Sequence, residues 1–142
     1  MNEALTLSWS RAQAADRARL YRRILGINLG INVALGLFAV VAPASLANLL
    51  GQLPPGPEAA AWLRRWGIAL IFMAALYTTG WLRPTTARIP NLVGLVERAV
   101  TGIACLLLGS GLVLIGLYAL AFALLLAWTY YRLFQAELAT RP

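Results

Sequence analysis

The chain has 142 residues, 61% of them hydrophobic and only 12% charged, with a formal net charge of +7. So few charged side chains cannot coat a water-soluble domain, and an ordinary globular protein is excluded. With no His and a single Cys, Cys105, the chain also lacks the means for His-dependent acid–base catalysis, His or Cys/His metal centres, axial His haem ligation, CxxC redox chemistry or an intrachain disulfide. The expectation is a non-enzyme with no metal site and no cofactor. All twelve basic residues are Arg. They lie between long apolar runs rather than on one solvated face, which argues against a nucleic-acid partner and for a membrane.

The first apolar run covers residues 24–42, behind Arg11, Arg17, Arg19, Arg22 and Arg23. A hydrocarbon core takes ~17 to 25 helical residues and a signal-peptide core only ~7 to 15, so the run reads as a retained span. Residues 43–65 break the pattern: 43–50 suit a short interfacial helix, Pro54-Pro55-Gly56-Pro57 enforces a turn, and Pro57 with Glu58 opens the next helix. The second span covers 66–82, with Trp62, Trp66 and Trp81 placed as a headgroup-level belt. A link over 83–90 carries Pro84 and Pro90, after which 91–133 is nearly continuous apolar sequence. One helix of that length would far exceed a ~30 Å core at ~1.5 Å per residue. Gly109-Ser110-Gly111 divides it into a third span, 91–108, and a fourth, 112–132, joined by a tight hairpin.

These elements predict an all-α fold, an integral membrane four-helix bundle forming a single membrane domain over 1–142. Placing the N-terminus inside puts ten arginines on the cytoplasmic side and leaves only Arg64 and Arg65 outside, so both termini are expected in the cytoplasm. The absence of Lys fits a bacterial source, which makes the bacterial cytoplasmic (inner) membrane the expected location. Arg17, Arg19, Arg22 and Arg23 are the expected lipid-headgroup contacts, each charge near an anionic surface contributing ~1 kcal/mol.

Helices in lipid associate through small residues, and each span has a stripe of them: Gly26, Gly30 and Ala34; Gly67, Ile71 and Ala74; Gly94, Gly102 and Gly109; Gly116, Ala119, Ala123 and Ala127. The polar residues gather mainly in the cytoplasmic half of the spans. Asn28 and Asn32 share a helix face, Glu97 aligns with Thr101, and Arg98 shares its face with Gly94 and Gly102. A charge in mid-membrane costs ~2.5 to 3.5 kcal/mol on insertion scales, which marks the cluster Asn28, Asn32, Glu97, Arg98 and Thr101 as the candidate site. The alternative is a later start of the third helix, which leaves Glu97 and Arg98 at the headgroups as anchors. Tyr77, Tyr118, Tyr130 and Tyr131 read as belt or packing residues.

The order Leu50-Gly51-Gln52-Leu53-Pro54, Trp62-Leu63-Arg64-Arg65-Trp66-Gly67, a short span, a Pro-flanked link and an Arg early in the third helix resembles small bacterial four-helix membrane proteins of the DoxX-like and BphX-like type. The resemblance implies a link to quinone-dependent oxidoreductase complexes, without the cysteine pairs of thiol-handling relatives. Two functions are expected from different classes. The first is a non-catalytic accessory or scaffold subunit that contacts membrane lipids and either other membrane subunits or copies of itself. The second is a membrane-embedded binding or transport module for a quinone, lipid or small polar solute.

Overall fold

A computed structural model describes residues 2–109 and 111–140 of the chain. It contains five helices, α1 (Asn2–Val41), α2 (Pro43–Leu49), α3 (Pro57–Leu82), α4 (Arg88–Leu108) and α5 (Val113–Leu138), and no strand among the described residues. The sequence punctuates them where backbone chemistry requires. Pro43 and Pro57 occupy first turns, where a missing N–H costs nothing. Pro84 follows the end of α3. Gly109 at φ +67° and Gly111 at φ +76° make the reversal into α5 in a region that L side chains rarely enter. Ser110, the middle of the predicted breaker, and Arg141 lie outside the described residues.

Four segments, Trp9–Val41, Pro57–Leu82, Arg88–Leu108 and Val113–Leu138, are long and apolar enough to cross a membrane. Helix α3 opens at Pro57, as its first-turn proline indicates, ahead of the apolar run at 66, whereas α4 starts at Arg88 rather than 91 and α5 continues to Leu138. Helix α1 runs back from the first span through all five N-terminal arginines to Asn2. At ~1.5 Å per residue its 40 residues extend ~60 Å, about twice a hydrocarbon core. Phe72, Leu76, Val96, Leu107 and Leu124 are among many large apolar side chains left exposed, a surface suited to lipid.

Each long helix touches two others: α1 lies against α3 and α5, and α4 lies against α5 and, less extensively, α3. The pairs α1/α4 and α3/α5 are not in backbone contact. Helix α2 folds back over α1 and α3, burying Leu46 and Ala47. At the opposite end Arg88 pairs with Glu137 at 3.6 Å and lies over the Phe134 ring, fastening the start of α4 to the end of α5.

Small residues set two of these contacts. A Cβ on Gly36 would stand 2.7 Å from the Gly67 carbonyl, and one on Gly67 would stand 2.5 Å from the Gly36 carbonyl, so α1 and α3 meet backbone to backbone. Gly102 and Gly116 bring α4 and α5 together in the same way. The expected stripes are thus correct for Gly67, Ala74, Gly94, Gly102, Gly116, Ala119 and Ala123, all buried. In α1 Gly26 is packed, a Cβ there meeting Trp81 Nε1 at 2.9 Å, but the rest of its stripe and the last position of α5 need correction. Gly30 has nothing within 4 Å of where a Cβ would be, Ala34 and Ala127 are exposed, and the packed face of α1 runs instead through Asn28, Gly36 and Ala39. Gly109 shapes a turn and packs in no helix.

Candidate functional site

Arg98 sits midway along α4, ten residues from Arg88 and ten from Leu108, or ~15 Å from either end. Only 4% of its surface is exposed. The alternative of an interfacial anchor is therefore set aside: α4 begins early enough to carry Arg98 into the middle of the apolar length.

A buried guanidinium requires acceptors, and Arg98 finds them across the structure. Its Nε and Nη2 both donate to Asn28 Oδ1, at 2.8 and 2.5 Å, and its Nη1 donates to the Gly94 carbonyl one turn back, at 2.6 Å. The reach to Asn28 crosses from α4 to α1, two helices whose backbones do not touch. Tyr77 of α3 places its ring 4.9 Å from the guanidinium carbon, within cation–π range. Glu97 Oε2 lies 3.8 Å from Nη1, an ion pair without a hydrogen bond, and its Oε1 accepts from Thr101 Oγ1 at 3.3 Å.

The donor-only chemistry of Arg fixes the direction of the remaining network. Asn28 must turn its oxygen to Arg98, so its Nδ2 faces Tyr118 and donates to that hydroxyl at 2.8 Å. With its acceptor side used, Tyr118 Oη donates onward to Asn32 Oδ1 at 3.0 Å. Each group hands a hydrogen to the next, from α4 to α1 to α5 and back to α1, and the amide nitrogen of Asn32 is left as a donor at the end.

This network forms one wall of an otherwise apolar cavity of about 420 Å³, within the ~300 to 1,000 Å³ of small-molecule sites. Asn28, Asn32, Glu97, Arg98, Thr101 and Tyr118 supply its polar residues. Leu35 of α1, Trp66, Ala69, Leu70 and Met73 of α3, and Leu114, Ile115 and Ala119 of α5 supply the apolar ones, and Leu46 and Leu50 cover the end where α2 lies. The cavity is partly open. Near their connecting link α3 and α4 meet closely, Gly94 against Tyr77 and Gly80 against Asn91. Farther along they contribute facing walls, on which Ala69 is exposed and Glu97 keeps 33% of its side chain accessible.

All five residues of the predicted cluster come together here. Their depth differs from expectation: the network starts at mid-length and extends toward the α2 end, away from the N-terminal half. Sequence reasoning missed two residues. Tyr118, read as belt or packing, is the link between the two asparagines, and its position a turn and a half inside α5 was the available signal. Trp66, read as belt, lines the cavity, whereas Trp62 is exposed as a belt residue should be.

Of the expected headgroup arginines, Arg19, Arg22 and Arg23 flank a shallow surface groove with Gly26, Ile27 and Trp81. Trp81 Nε1 donates to the Arg22 carbonyl at 2.9 Å, which ties the end of α3 to this stretch of α1. Arg17 is not in the groove, and Arg19 is paired with Asp16. No cluster of three or more His, Cys, Asp or Glu suited to a metal occurs among the described residues. No family model, curated protein or solved structure matches the chain.

Proposed function

We propose that the protein is a multi-pass membrane protein of the bacterial cytoplasmic membrane, a four-helix bundle with both termini in the cytoplasm, that binds an amphipathic molecule in its interior. The observation that carries this reading is a 420 Å³ cavity, apolar on most of its wall, that meets a buried arginine at mid-span. A charge kept at that depth is costly, and membrane proteins keep such charges where they meet a ligand, ion or substrate. The apolar exterior supports the membrane setting, and the arginines support the orientation. With Arg98 buried, nine of the twelve flank the N-terminal side, against Arg64 and Arg65 on the other. On the resemblance to DoxX-like proteins, a membrane quinone is one molecule of the right build. Binding without catalysis fits a site whose single carboxylate, Glu97, is paired with Arg98.

A second reading, an accessory or scaffold subunit, draws on the unpacked face of α1. Gly30 meets nothing, Ala34 is exposed, and Gly30 lies in a groove with Ala75 and Thr78 of α3, a surface that a helix of a partner or a second copy would fit.

One experiment tests both. Native mass spectrometry of protein released from its own membrane is expected to show one bound amphiphile per wild-type chain and none on Ala69→Trp, whose indole would occupy the cavity from the exposed edge of α3. Wild-type chains emerging bare would contradict the binding reading. The same spectra bear on the scaffold reading, which requires a dimer or a partner mass and fails if only monomers appear.

A further inference from the structure

We infer that the cavity selects an uncharged amphiphile whose head offers oxygen acceptors, and that it loads sideways between α3 and α4. The inference rests on the binding reading above and adds the class of ligand and its route.

Charge comes first. Arg98 and Glu97 face the same cavity 3.8 Å apart, so the polar wall is neutral as a unit. In a low-dielectric interior an added anion would meet Glu97 without a free counter-charge, and an added cation would meet Arg98. A neutral head meets neither difficulty.

Hydrogen bonding narrows the head further. A guanidinium carries five N–H groups. Three are committed, one on each nitrogen, which leaves one hydrogen on Nη1 and one on Nη2. The directional chain that ends on Asn32 leaves its amide nitrogen as a donor too. The wall therefore presents donors from Arg98 and Asn32 and an acceptor only at Glu97. A carbonyl, ether or hydroxyl oxygen satisfies the donors, and a hydroxyl hydrogen satisfies Glu97.

The route follows from the packing. Of the adjacent long pairs, α3 and α4 have the least contact, and what contact the glycines record lies near their link, below Arg98. Toward the α2 end Ala69 of α3, which is exposed, and Glu97 of α4, which is half-buried, both line the partly open cavity. A tail longer than the cavity can stay in lipid while the head reaches Arg98.

A glyceride and a quinone share this chemistry, and four ten-carbon probes separate the possibilities. Full-length protein in detergent micelles is titrated with 1-decanoylglycerol, decylubiquinone, decyl phosphate and decyltrimethylammonium, with bound probe counted by native mass spectrometry. Wild type is expected to take one copy of a neutral probe at least tenfold more tightly than either charged one, and the tighter of the two neutral probes identifies the source. Glu97→Gln, which keeps the acceptor for Thr101 but leaves Arg98 unbalanced, is expected to reverse the order, so that decyl phosphate binds more tightly than either neutral probe. Ala69→Trp, at the lateral gap, is expected to exclude all four. A wild-type preference for decyl phosphate, or an unchanged order in Glu97→Gln, overturns the neutral-head inference while leaving the cavity as a binding site. Unimpaired binding to Ala69→Trp, whose indole occupies the same cavity, overturns the lateral route and the cavity as the binding site together. Failure of every probe to bind wild type removes the binding reading itself.

Discussion

Asn28→Leu is expected to destabilise the protein by about 3 to 6 kcal/mol, since it removes two hydrogen bonds from a buried charge at ~1.5 to 3 kcal/mol each. Two of the three hydrogen bonds of Arg98 end on Asn28 Oδ1, and among the described residues no other side-chain oxygen hydrogen-bonds to the guanidinium. A leucine there leaves a cation in the interior with the Gly94 carbonyl of its own helix, the Tyr77 ring and an ion pair to Glu97. The same reasoning predicts recovery: Arg98→Met and Glu97→Gln added to Asn28→Leu remove the orphaned cation together with its counter-charge, and a neutral replacement of a whole buried ionic group is often neutral or stabilising. Denaturant titration in mixed micelles, followed by tryptophan fluorescence, gives both values. Equal unfolding midpoints for wild type and Asn28→Leu would show that Arg98 does not depend on α1.

The second large effect separates stability from binding. Arg98→Met alone leaves Asn28 Oδ1 without its donors, which costs ~1 to 3 kcal/mol for an unsatisfied buried acceptor, and leaves the part-exposed Glu97 without its counter-charge, but the helices stay assembled. Retention of a neutral amphiphile such as 1-decanoylglycerol is expected to fall roughly thirtyfold, because a hydrogen bond from a charged donor contributes about 2 kcal/mol. The triple variant Asn28→Leu, Glu97→Gln, Arg98→Met, stable once more, is expected to bind as weakly as the single one. If stability returns and binding returns with it, the arginine serves only the fold.

The contrast between these variants explains which features could be read from residue order. The helices were legible because their boundaries are chemical: Pro43, Pro57, Pro84 and the glycines at 109 and 111 stop or start them whatever surrounds the chain. The core of the site was legible because Asn28, Asn32 and Arg98 are expensive in an apolar run, and helical spacing places them on common faces. The packed face of α1 was harder. A helix with protein on one side and lipid on the other is apolar all round, so hydrophobic periodicity does not mark its inner side. Gly26, Gly30 and Ala34 formed one small-residue stripe, while Gly36 and Ala39 belong to another. Asn28 lies on the buried face and Gly30, two residues on, points away from it. In lipid the polar side chain was the better guide, because an unpaired amide there is costly whereas an unpacked glycine is not.

Tyr118 and Trp66 were hidden for a related reason. Both are amphipathic aromatics, whose commonest place in such a protein is the interface. What draws Tyr118 inward is the acceptor and donor pair offered by Asn28 and Asn32, a requirement set by Arg98 on a helix that does not touch theirs. A dependence of that kind exists only once the helices are assembled.

The membrane-crossing arrangement itself is tested most directly by one-sided labelling. In a Cys105→Ser background, single cysteines are placed at Ala59, exposed at the start of α3, and at Ala139, exposed after α5, and intact cells are treated with a membrane-impermeant maleimide. Ala59→Cys is expected to label from outside and Ala139→Cys only after lysis. Labelling of both positions in intact cells would contradict the four spans around a mid-membrane arginine, and labelling of Ala139→Cys alone would contradict their orientation.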